Sequence, residues 1–292
     1  DDREFLKVVK EFLDEENIST EEEEEEILEL RNHQKDAIKA WIESKYRGIL
    51  NHATGSGKTF TAIQTISKLR KGLTGESLVV LIGVPFIPLA DQWIEQLDVF
   101  FKKEIKKNKF VYNGAIGCYS SSEEENWKLS LDKELQLFKS SLSRKNPHLT
   151  IVVAVNDSLS SEKFQSSINN AKINRDRLFV IGDECHRYAS SKKLLDSLPD
   201  GRYRMGLSAT PFDSDIKTKK EEEMNTFFGG ICHDYSLKDG IRDGHLSNYY
   251  YYPNACYLED EEFLKWKEYL DAGDSKDKHI QEMEAIIDGS NE

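Results

Sequence analysis

Apolar residues recur along this chain in two rhythms. Near the start, Phe5, Leu6, Val8, Val9, Phe12 and Leu13 return at helical spacing, which predicts an amphipathic helix over 3–16. From Ile27 onward, short runs rich in Val, Ile and Leu alternate with longer helix-like stretches. The runs at 48–51, 78–84, 150–155, 178–181 and 204–207 are bounded by polar turns. They are apolar at successive rather than alternate positions, the pattern of strands buried on both faces of a parallel sheet. Helical stretches fall between them, for example at 60–66, 89–101 and 132–142. That order predicts an α/β domain whose chemistry gathers at the carboxyl ends of the strands. Past Gly230 the pattern changes: a short helix is predicted over 234–244, an edge strand at Tyr249 to Tyr252, and surface helices over 261–271 and 278–288.

Composition sharpens the picture mainly through where the charge sits. The 292 residues carry a formal charge of −13. Residues 1–30 hold 14 acidic and 3 basic side chains, and 257–292 hold 12 and 4. The body, 31–256, is left with 27 acidic and 33 basic residues. A mildly basic body permits a phosphate-backbone partner that the total charge argues against. The block Glu21 to Glu26 reads as a solvated linker, and with Asp rather than Met at position 1 it predicts a domain upstream. The longest apolar run, 78–90, is too short to span a bilayer and contains Gly83, Pro85 and Pro88, so no membrane association is expected. Cys118, Cys185, Cys232 and Cys256 are scattered without a Cys-x-x-Cys pair, which suits a reducing, cytoplasmic setting and makes metal ligation by them an unfavoured reading.

The strongest chemical signal is residues 53–59, Ala-Thr-Gly-Ser-Gly-Lys-Thr, lying between a predicted strand and a predicted helix. Gly55 and Gly57 let consecutive backbone N–H groups curl towards phosphate oxygens, and the helix N-terminus adds positive potential there. Lys58 can reach the β- and γ-phosphates of a bound triphosphate, and the Thr59 hydroxyl can complete a Mg²⁺ shell. Thr54, Gly55, Ser56, Gly57, Lys58, Thr59 and Phe60 are therefore candidate nucleotide-binding residues. Five positions before Gly57, the general pattern has Gly and this chain has His52, for which bracing the loop is at least as good a reading as touching a phosphate. Downstream, the strand over 178–181 ends in Gly-Asp-Glu-Cys-His. Asp183 can share the Mg²⁺ with Thr59, and Glu184 can orient and deprotonate an attacking water. Lys58, Asp183 and Glu184 are the candidate catalytic residues, with ATP and Mg²⁺ as cofactors.

Asp183-Glu184-Cys185-His186 resembles the DExH box of superfamily 2 helicases and translocases, whose loop also tolerates the missing glycine. Other segments resemble this family's motifs in order. Residues 30–38, with Arg31 and Gln34, are similar to the glutamine motif, which implies that Gln34 bonds the adenine edge and that Arg31 packs against the base or braces the loop. Residues 84–93 resemble motif Ia, which faces the nucleic-acid strand, although Phe86 replaces the usual Thr or basic residue. Residues 153–159 resemble a later strand and turn of the lobe. Ser208-Ala209-Thr210-Pro211 resembles motif III, which couples nucleotide to nucleic acid, and the resemblance implies contact from His186. Residues 235–246 are similar to a segment of DNA-repair helicases and restriction-enzyme translocases, which tips the implied partner towards double-stranded DNA.

The resemblance implies a RecA-like P-loop NTPase lobe, with a mainly parallel sheet flanked by helices, over 28–256. Residues 1–27 then form an N-terminal helix and acidic linker, and 257–292 a helical linker towards a second RecA-like lobe. The implied function is ATP-driven movement on DNA, as helicase or translocase. An RNA-directed immune-type helicase and a nucleotide-dependent scaffold are the other readings. Arginines of a second lobe would complete hydrolysis, so these residues alone are expected to bind ATP·Mg weakly and turn it over slowly. The basic stretch 102–109 is expected to be solvated surface.

Overall fold

A computed structural model describes residues 29–73, 76–107, 110–119, 127–142, 147–212, 218–248 and 263–264. The predicted helix over 3–16, the tyrosine strand at 249–252, the helix over 278–288 and most of that over 261–271 lie outside these residues. The chain divides into two compact units, Asp1–Leu246 and Ser247–Glu292. Every strand among the described residues belongs to the first.

Seven parallel strands form one sheet: β1 (Arg47–His52), β2 (Leu78–Val84), β3 (Ala115–Cys118), β4 (Leu149–Val155), β5 (Leu178–Asp183), β6 (Tyr203–Ser208) and β7 (Ile231–Tyr235). Their order across the sheet is β3-β4-β2-β5-β6-β1-β7. All seven residues of β2 and of β4, and all six of β5 and of β6, are buried. Such burial needs cover on both faces, and successive residues divide between two cores. Val80, Ile82 and Val84 pack with Trp41, Ala62, Ile66, Trp93, Leu97 and Phe101 on one face. Val79 and Leu81 pack with Leu131, Leu135, Phe164, Tyr188 and Phe228 on the other. The first set comes from α1 (Asn32–Glu43), α2 (Lys58–Gly72) and α3 (Ile87–Lys107). The second comes largely from α4 (Trp127–Ser141), α5 (Asn156–Leu159), α6 (Glu162–Ala171), a 3₁₀ turn over Cys185–Ala189, α7 (Lys192–Asp196) and α8 (Lys219–Phe228). This three-layer sandwich is the α/β lobe that the sequence pattern predicts. Among the described residues, no helix is long and apolar enough to cross a membrane.

One expectation changes. The helix predicted over 234–244 begins later, as α9 (Leu237–Arg242), because Asp234 and Tyr235 pair with Asn51 and His52 as the end of β7. β7 itself escapes sequence detection because it is a short, half-exposed edge strand, Ile-Cys-His-Asp-Tyr, with polar residues at two of five positions. In the basic stretch, Lys102 pairs with Asp98 one turn back on α3, an exposed ion pair of small energetic weight.

Candidate nucleotide site

The site is assembled by strand order. β1, β5 and β6 are neighbours, with Asn51 opposite Ser208 and Asp183 opposite Leu207. The loop after β1, the carboxylates ending β5 and the Ser-Ala-Thr turn after β6 therefore emerge side by side. β2 lies on the other side of β5, with Gly83 opposite Gly182, so the segment beginning at Val84 joins the same edge.

Gly55 (φ 80°) and Gly57 (φ 87°) both hold left-handed backbone, and Gly57 is the N-cap of α2. A Cβ on Gly57 would stand 2.5 Å from Gln34 Nε2, so side chains are excluded there by backbone angle and by space together. Lys58 Nζ donates to the carbonyl of His52 at 2.9 Å and to that of Ala53 at 3.5 Å, curling back over the loop. Burial lowers its pKa, while the carboxylates of Glu184 and Asp183 oppose that shift. Those carboxylates act on Lys58 across about 125 residues of sequence. Thr59 and Phe60, both half-buried, open α2, while Thr54 and Gly55 are exposed at the loop tip. The Ser56 side chain is buried and its hydroxyl has no partner among the described residues.

α1 braces the loop from behind. Gln34 is 3% exposed. Its Nε2 donates to the carbonyls of Ser56 (3.3 Å) and Gly57 (3.4 Å), while its Oε1 accepts the Arg31 backbone N–H (2.9 Å). Arg31 is exposed beside it. His33 Nε2 donates to the Ser56 carbonyl at 3.0 Å, and its ring stacks on Tyr235 with centroids 3.8 Å apart. His52 is fully buried, with Nε2 2.8 Å from His233 Nδ1 on β7. Its ring faces another histidine, so it braces the loop rather than lining its mouth. His33 and Tyr235 lie inside segments that resemble family motifs and His233 lies outside them, but nothing in those patterns signals that the three support the loop.

The carboxylate pair is asymmetric. Asp183 is 5% exposed, and each of its oxygens has a donor: Trp93 Nε1 to Oδ2 at 2.7 Å, and the Glu184 N–H to Oδ1 at 2.9 Å. Burial raises its pKa above the usual carboxylate range, and those two donors hold the rise in check. Glu184 is half-buried and takes a left-handed φ of 45°, a backbone state that costs a non-glycine residue about 1–3 kcal/mol and is found where geometry is over-determined. The Asp183 carboxylate and the Thr59 hydroxyl are hard oxygen donors of the kind Mg²⁺ takes. The glycine cradle with Lys58 suits a polyphosphate.

The expected contact between His186 and the Ser-Ala-Thr turn is present. His186 Nδ1 lies 3.0 Å from Ser208 Oγ and 3.4 Å from Glu184 Oε2, and Ser208 Oγ accepts the Thr210 N–H at 3.2 Å. Ala209 sits between, half-buried, with Thr210 exposed. Beside these contacts, Phe86 is 53% exposed, and the Arg187 guanidinium lies 4.7 Å over its ring. The two line a groove of about 520 Å³ together with Glu184, His186 and Gln92.

Comparison with known proteins identifies a family and related folds. The family model described as "Type III restriction enzyme, res subunit" matches residues 27–213. The chain is 28% identical over 228 residues to the "Type I restriction enzyme EcoAI endonuclease subunit" of Escherichia coli, covering 75% of this chain and 23% of that protein. It is 38% identical over 73 residues to "DNA 3'-5' translocase XPB2" of Sulfurisphaera tokodaii, covering 25% and 15%. Two solved structures share the fold at 18% identity. The DNA-bound ATP-dependent Type ISP restriction-modification enzyme LlaBIII aligns with a TM-score of 0.53, covering 74% of this chain and 16% of that one. A nuclease-deletion mutant of the Type ISP enzyme LlaGI, in complex with a DNA substrate mimic, aligns at 0.54, covering 85% and 23%. This chain thus spans less than a quarter of each relative's length.

Proposed function

The chain belongs to the family described as Type III restriction enzyme, res subunit, and from that premise we propose that residues 28–256 are the ATP-binding lobe of a DNA-dependent ATPase that drives a helicase or translocase. The observation that carries the reading is the convergence of Lys58, Asp183, Glu184 and Ser208 at the ends of three adjacent strands. Backbone N–H groups of Gly55 to Thr59 cradle the phosphates, and Lys58 leaves its carbonyls to balance β- and γ-phosphate charge. Arg31 and Gln34 are assigned to the adenine by the resemblance to the glutamine motif, and Gln34 would have to exchange a loop contact to bond the base. Thr59 and Asp183 would hold Mg²⁺, which would supply positive charge against the charge developing on the phosphate oxygens. Glu184 orients the attacking water and accepts its proton at the carboxylate. His186 links Glu184 to Ser208, so that a shift of the 208–210 turn on DNA binding moves the base. A second RecA-like lobe would supply arginines to the γ-phosphate, and without it turnover should be slow.

Two substitutions separate binding from chemistry. Lys58→Ala should weaken nucleotide binding by about 2–3 kcal/mol, roughly 30- to 150-fold, as loss of a charged hydrogen-bond partner does. Glu184→Gln should keep nucleotide affinity and lose hydrolysis by about 10²–10⁴-fold. Calorimetric titration and phosphate release measure the two, and a Glu184→Gln protein with full turnover would refute its role as base. Duplex DNA should stimulate hydrolysis more than single-stranded DNA or RNA. Stimulation by RNA alone would replace DNA as the partner, and none by any polymer would favour a scaffold.

A further inference from the structure

Trp93 takes no part in phosphate binding or proton transfer, yet its surroundings are unusual for a core residue. It is fully buried between α3 and the sheet, where an indole N–H needs a partner. That partner is the carboxylate of Asp183, with Nε1 donating to Oδ2 at 2.7 Å. The other oxygen, Oδ1, accepts the Glu184 backbone N–H. One donor per oxygen, from two different elements, leaves the carboxylate no freedom to turn about its Cβ–Cγ bond without breaking a bond in a nearly solvent-free site. An indole N–H is a donor only, so it can neither ligate a metal nor compete for one. The geometry points to Trp93 as a positioning residue for the divalent ion, orienting Asp183 so that its free lone pairs meet the metal without reorganisation. The inference rests on the reading that Asp183 and Thr59 hold Mg²⁺. It also gives the segment resembling motif Ia, which ends at Trp93 within α3, a direct hydrogen bond to the metal carboxylate.

In the full chain, Trp93→Phe keeps an aromatic ring and removes the donor. The readout is nucleotide affinity, followed with a fluorescent non-hydrolysable ATP analogue in EDTA and across a Mg²⁺ titration. The Mg²⁺ concentration for half-maximal strengthening should rise about 10-fold, the low end for losing a partner of a metal-ligating carboxylate. Metal-free affinity should stay within about twofold, since the loop is untouched. On an Asp183→Asn background Trp93→Phe should have no further effect, as the two changes act on one interaction. An unchanged Mg²⁺ requirement, or an equal loss of affinity with and without metal, overturns the positioning role. Should Trp93→Phe fail to fold, benzothienylalanine at position 93 preserves the bicyclic shape and lacks only the N–H, and the same expectations apply. The underlying reading fails separately: wild-type nucleotide binding that ignores Mg²⁺, or an Asp183→Asn protein with wild-type Mg²⁺ dependence, would refute the metal assignment itself.

Discussion

His52 occupies the loop position where a glycine is usual, and its surroundings alter it strongly. Burial first, then the neighbouring His233 and His33, holds its pKa down to about 3. A proton between pH 6.5 and about 3 therefore favours the unfolded chain. Stability should fall as pH drops through that window, by at most about 1.4 kcal/mol per pH unit for this one group. Burial shifts His33 and His233 in the same direction. We expect the thermal midpoint to decline from pH 6.5 to pH 5, and His52→Gln to make that decline shallower. Equal slopes for the two proteins would show that His52 is not the group responsible. The motif residues Gly55, Gly57, Lys58, Asp183 and Glu184 were legible because their spacing is local chemistry. The pairing of His52 with His233 was not, since it spans 181 residues and depends on which strand lies beside β1.

Among the elements, β5 packs tightly just before its carboxylates. A Cβ on Gly182 would stand 2.6 Å from Phe228 Cζ and 3.0 Å from Tyr188 Cε2. Glycine here lets α8 and the 3₁₀ turn after Glu184 close onto the sheet directly beneath the carboxylates. Gly182→Ala should therefore destabilise the lobe by about 1–3 kcal/mol through overpacking. It should also lower hydrolysis more than nucleotide affinity, because it displaces Asp183 and Glu184 and leaves the loop after β1 in place. A denaturant midpoint unchanged from wild type would contradict this packing account. Strands buried on both faces were readable at 78–84 and 150–155, where unbroken apolar runs leave little choice of environment. Helix bounds were less so: α3 begins at Ile87 and reaches Lys107, and α4 begins at Trp127, in each case beyond the apolar stretch. Turn-forming Pro85, the lysine-rich end of α3 and the mixed first turn of α4 give little periodic hydrophobic signal.

For the whole molecule, charge placement matters more than total charge. The net of −13 comes from the two flanks, and the body between them is mildly basic. If that body meets DNA through phosphate contacts, DNA stimulation of hydrolysis should fall steeply between about 50 and 200 mM salt, as counterion release requires. Basal hydrolysis should change little over the same range. A stimulation insensitive to salt would argue against a backbone-dominated contact. Taken alone, the amino-acid order determined the class of fold, the phosphate loop and the carboxylate pair. Each of these is written in a short window, as a run of apolar residues or as fixed spacing between neighbours. Tertiary structure decided the strand order β2-β5-β6-β1, which sets loop, carboxylates and relay along one edge. It also decided that a core tryptophan, 90 residues away in sequence, would hold Asp183. Such contacts follow from which elements become neighbours, and local periodicity contains no record of that choice.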